Sequence, residues 1–130
     1  MNFINDEDML KALLDLKKRI IETKIKGYSN NEDRLTAKNY LCKCEKYVLE
    51  ASEMVNIYNM YIKSLTVFEG IESKKIINGD KARLEGIMSD SLRKWKDEII
   101  NTESTNEHNL VEIRESLVEI FDAVCVFVKK

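Results

Sequence analysis

Apolar residues along this chain recur in steps of three and four, and the pattern lapses near Gly27, between Gly70 and Asp80, and over Asn101 to Asn106. That period is the one an α-helix shows on a single face, so four amphipathic helices are predicted. The first carries Met9, Leu10, Leu13, Leu16, Ile20 and Ile21 after Asn5 and Asp6, residue types suited to capping, and Gly27 supplies its left-handed stop. Ser29 and Glu32 then stand in capping-box spacing, which places the start of a second helix near Asn30.

In the second helix Leu41, Cys44, Val48, Ala51, Val55, Tyr58, Ile62 and Leu65 form a heptad seam. Beside it runs a line spaced by seven, Tyr40, Tyr47, Met54, Tyr61 and Phe68. With no glycine or proline between Gly27 and Gly70, this helix is expected to run unbroken from about Asn31 to Phe68. At 1.5 Å per residue that is roughly 57 Å. Asn78-Gly79-Asp80 reads as a turn, so Ile71, Ile76 and Ile77 are expected in a short helical turn or irregular cover over the core.

The third helix is expected to follow Asp80 and end near Asn101, with Leu84, Ile87, Met88, Leu92, Trp95 and Ile99 on one face. After a polar connector, Ser104 and Glu107 repeat the capping-box spacing. The fourth helix has Leu110, Ile113, Leu117, Ile120, Val124 and Phe127 as its seam. Val111, Val118 and Cys125 make a second line, and Phe121 and Val128 a third. A helix so nearly apolar all round is either buried among several others or shared between subunits.

These elements predict an all-α fold, an antiparallel helical bundle of four main helices with one very long second helix, in a single domain over residues 1–130. The other helices, at roughly 30 to 38 Å, would leave part of the second uncovered. Together with the extra apolar lines on the fourth helix, that points to self-association, most simply as a two-fold homodimer.

Composition narrows the function. Apolar residues make up 44% and charged residues 34% of the 130 positions, a balance suited to helices with one apolar and one charged face. The 21 basic and 23 acidic residues nearly cancel, so nucleic acid is disfavoured as the main ligand. An odd count of three cysteines, with no framework of pairs, fits a reducing compartment, and a cytoplasmic location is expected. The N-terminal residues lack the pattern of a signal peptide, and the longest apolar stretch, Ala123 to Val128, is far below the ~20 residues needed to span a membrane.

Candidate chemistry is sparse. Cys42 and Cys44 would point about 200° apart on a helix and so could not close on one ion together. The single histidine, His108, has neither the Glu-x-x-His pairing of a di-iron bundle nor a nucleophile to serve. Glycine-rich phosphate loops are absent. Accordingly no catalytic, metal or cofactor-binding residue is assigned.

The pairs Glu50/Glu53, Glu112/Glu115 and Glu119/Asp122 each set two carboxylates one turn apart. In these few residues the chain resembles the MazG-type nucleotide pyrophosphohydrolases, all-α enzymes that hold magnesium between carboxylate pairs on two facing helices. Here Glu112, Glu115, Glu119 and Asp122 share a single helix, so the spacing departs from that arrangement.

The Tyr40, Tyr47, Met54, Tyr61 and Phe68 line has two readings. Tyrosine tolerates the border of a core with its hydroxyl in water. Aromatic residues and Met are also enriched at protein interfaces. On the second reading, Tyr40, Tyr47, Met54, Tyr61, Phe68, Val111, Val118 and Cys125 would contact a partner. The expected function is then a non-enzymatic protein-binding module, such as a small bacterial or phage inhibitor, immunity or adaptor protein that occludes a partner surface. Two alternatives remain. One is a nucleoprotein subunit using Lys74, Lys75, Lys81, Arg83, Arg93, Lys94 and Lys96 on phosphates; the other is a magnesium-dependent nucleotide pyrophosphohydrolase.

Overall fold

A computed structural model of the chain describes residue 3 and residues 5–25, 31–65, 71–102 and 108–128. It is all-α: four helices, α1 (Asp6–Ile25), α2 (Asn31–Leu65), α3 (Ile71–Asn101) and α4 (His108–Val128), with no strand among the described residues. Their buried side chains join in one hydrophobic cluster. α1 packs on α2 and α4, α3 packs on α2 and α4, and α2 also meets α4 across the centre.

The start of α1 follows from Asn5, whose Oδ1 accepts a 2.9 Å hydrogen bond from the Asp8 backbone N–H and satisfies one of the donors a helix leaves free at its N-terminus. Met9, Leu13, Leu16 and Ile20 form its buried stripe. Thr23 continues it, at the cost of a hydroxyl that donates back to the Arg19 carbonyl at 2.8 Å. Ile21, expected on this face, is exposed. Gly27, Gly70 and Ser104, with the expected capping by Ser29, lie outside the described residues.

α2 is continuous through its seam: Ala37, Leu41, Cys44, Val48, Ala51, Val55 and Tyr58 are all buried. No turn interrupts α3 at Asn78-Gly79-Asp80; the helix begins at Ile71 and passes through it. A mid-helix glycine costs only about 1 kcal/mol relative to alanine, which a helix extended by one hydrogen bond per residue can absorb. This changes the architecture. At 31 residues α3 nearly matches the 35 of α2, so the mismatch in length expected from sequence does not arise for α3, while α1 and α4, at 20 and 21 residues, remain shorter as expected.

Side-chain hydrogen bonds fix direction. Lys43 of α2 donates to Thr102, just past the end of α3, and Tyr47 and Tyr58 donate to Glu98 and Glu85 of α3, so numbers fall on one side as they rise on the other. Lys96 meets Asp122, and Ser89 meets Cys125, which sets α3 and α4 in opposite directions as well.

Candidate interaction surface

Burial separates the residues that sequence had grouped as a partner surface. Tyr40, Tyr47 and Cys125 are buried within the chain's own core, whereas Met54, Tyr61, Val111 and Val118 are half-buried. Phe68 lies outside the described residues. Of the extra apolar lines of α4, Phe121, Cys125 and Val128 are buried by the chain itself, while Val111 and Val118 are half-buried. Within the chain, the C-terminal half of α4 is largely buried among its neighbours.

Tyr40 is the least accessible of the flank. Its hydroxyl is buried without an ordinary hydrogen-bond partner; the thiol of Cys44 beside it is only a weak one. Burial pushes the phenol above its usual range, and burial likewise pushes the Cys44 thiol up to about 12. Neither group is a nucleophile at neutral pH. Tyr47 differs, because its hydroxyl reaches the rim and donates to the Glu98 carboxylate. That bond, followed by burial, raises it to about 12.

The acidic residues of α4 do not make a walled site. Glu112, Glu115, Glu119 and Asp122 are exposed along one side of the helix, and Asp122 is held by the Lys96 ammonium at 2.9 Å. Among the described residues, no group of three or more His, Cys, Asp or Glu is placed to hold a metal ion. The basic residues of α3 are likewise dispersed. Lys81 pairs with Glu85 at 3.2 Å and Lys96 with Asp122, while exposed Arg83, Arg93 and Lys94 alternate with exposed Asp90 and Asp97. The side chains of Lys74 and Lys75 lie outside those described. Between α1 and α4, a groove of about 220 Å³ is bridged by an Arg19 guanidinium donating to Ser116 Oγ at 3.0 Å. It is smaller than the ~300–1,000 Å³ typical of a ligand pocket.

The feature that sequence reasoning missed is on the far side of α2. Leu35 is 61% exposed, Leu49 38%, Ile57 56% and Met60 70%, and Cys42 is exposed with them. At 100° per residue these five fall in a sector of about 80°, turned directly away from the Leu41, Cys44, Val48, Ala51 and Val55 seam. Lys46 and Glu53 stand on the same line. Isolated apolar side chains on a surface are ordinary, but a row of them along about seven turns of one helix is not. Leu35, Cys42 and Leu49 repeat every seven residues, as the seam does. Plotting the residues opposite the seam would have revealed them.

No protein family, curated protein or solved structure matches this chain.

Proposed function

We propose that this chain is a non-enzymatic protein-binding module that acts by covering a partner's surface, in the manner of an inhibitor, immunity or adaptor protein, with the outer ridge of α2 as its contact. One observation carries the reading: Leu35, Cys42, Leu49, Ile57 and Met60 line the face of α2 opposite its core seam. Burying the exposed parts of the four larger side chains would contribute on the order of 1 kcal/mol each. An apolar strip along a rigid helix suits a helical or grooved protein surface better than a small molecule. The three free cysteines support a reducing, cytoplasmic setting.

The test is site-specific photo-cross-linking in the host. A photoreactive residue in place of Ile57 is expected to yield discrete protein adducts, and one in place of exposed Glu22 on α1 is not. If neither position yields an adduct, or both yield the same smear, the reading is wrong.

A further inference from the structure

We infer that the occupant of the α2 ridge is a second copy of this chain, with the two α2 helices side by side and antiparallel about a two-fold axis near Val48. The inference rests on the protein-binding reading and names its partner. What selects a second copy is the distribution of charge along the ridge. Lys43 turns toward α3, where it donates to Thr102; on the ridge side α2 carries Lys38 and Lys46 against half-buried Glu45 between Leu35 and Val48, and Glu50 and Glu53 with no basic residue between Leu49 and Met60. The ridge side of the first half is therefore net +1 and that of the second net −2. Of these side chains Lys38, Lys46 and Glu53 are exposed.

An antiparallel pair sets each basic half against the partner's acidic half, twice over by symmetry, and brings Lys46 within reach of the acidic residues opposite. A parallel pair would set like against like at both ends, an arrangement that costs affinity. The apolar residues fit the same orientation. Leu49 lies beside the two-fold and meets its own counterpart, while Leu35 and Cys42 at one end approach Ile57 and Met60 at the other. This is the self-complementary patch that a two-fold interface requires.

The strip from Leu35 to Met60 is about 37 Å long and roughly 10 Å wide, so the contact would bury about 740 Å² over both copies, below the ~1,200 Å² at which standard stable interfaces begin and in the range of weak, transient ones. Association is therefore expected in the micromolar range, and light scattering should be followed from about ten to several hundred micromolar protein. A mass rising to twice that of the chain, with a dissociation constant roughly tenfold or more weaker in Leu49→Glu at unchanged helicity, supports the inference. Raising salt should also weaken the dimer, because the pairing is between opposite charges.

Orientation is read from disulfides. Cys42 is the exposed thiol among the three. Antiparallel pairing about Val48 sets the two Cys42 residues about 18 Å apart along the axis, beyond the ~7 Å that a disulfide can bridge between α-carbons. On mild oxidation the wild-type chain should stay uncross-linked, while Cys42→Ser/Leu49→Cys should form a covalent dimer. A monomer mass throughout, a dimer untouched by Leu49→Glu, or ready cross-linking through native Cys42 would each overturn the inference. Adducts of other masses at position 57 in the host would at the same time leave the broader protein-binding reading standing.

Discussion

Tyr47 and Trp95 stack across the α2–α3 interface with ring centroids 5.6 Å apart and planes 12° from parallel. The same tyrosine donates its hydroxyl to Glu98, three residues beyond Trp95 on α3. One side chain thus joins the two helices through its ring and its polar tip. Trp95 was expected from its spacing to be largely buried; it is half-buried, covered on one face by Tyr47. Trp95→Ala should cost about 2–3 kcal/mol, at or below the lower end for a fully buried tryptophan. Tyr47→Phe should cost about 1 kcal/mol, the net worth of one hydrogen bond. Urea denaturation followed by circular dichroism measures both, and equal costs for the two variants would contradict this division.

Alkaline pH should unfold the chain. Cys44 is raised to about 12 from 9, Tyr47 to about 12 from 10, and Tyr40 is raised further. The folded state favours the protonated form of each, so their contribution is complete below about pH 9 and is lost as pH climbs toward 12. Thermal midpoints should therefore be level with respect to these groups from pH 7 to about 9 and fall above it. Cys44→Ala should delay the onset of that fall, whatever it does to stability at neutral pH. An unchanged onset would show that Cys44 does not govern it.

Thiol reactivity should divide the cysteines one against two. Cys42 is exposed on the outer side of α2, whereas Cys44 and Cys125 are buried, the latter with its Sγ 3.9 Å from the Ser89 carbonyl. A disulfide reagent at pH 8 should modify one thiol rapidly, and peptide mapping should find it at Cys42. The other two should react only as fast as the chain opens. Rapid modification of two or more thiols in the native state would show that the core is not closed as described.

Much of this arrangement is legible in the sequence, for physical reasons that also mark where legibility stops. The α2 seam can be read because each of its residues from Leu41 to Tyr58 is apolar and the period is unbroken, and the start of α1 because Asn5 is a good cap. Asn78-Gly79-Asp80 misleads, since turn preference in three residues is weaker than the cooperativity of the helix around them. Ile21 and Ile87 mislead in the opposite sense: each sits one position off its stripe, where periodicity alone cannot tell the border of a core from its outside. The line of Tyr40, Tyr47 and Met54 shows the same ambiguity, and only packing against α3 and α4 decides how far each is buried. The outer ridge of α2 is hidden for another reason, because Leu35, Cys42 and Leu49 share the heptad spacing of the seam and the ridge is lost in a reading that follows one face.

Gly86 offers a gain in stability. It lies in the middle of α3 on an exposed side of the helix, and a β-carbon built there would meet nothing within 4 Å. No close approach by a neighbouring helix therefore calls for glycine at this position, and its helical backbone suits alanine equally well. The glycine brings only its conformational freedom in the unfolded chain, which opposes folding. Gly86→Ala should accordingly stabilise the fold by about 0.5–1 kcal/mol, visible as a higher urea midpoint with an unchanged slope. A neutral or destabilising result would mean that something occupies the open space beside Gly86 in solution, and cross-linking from the neighbouring, exposed Ile87 would be the measurement to make next.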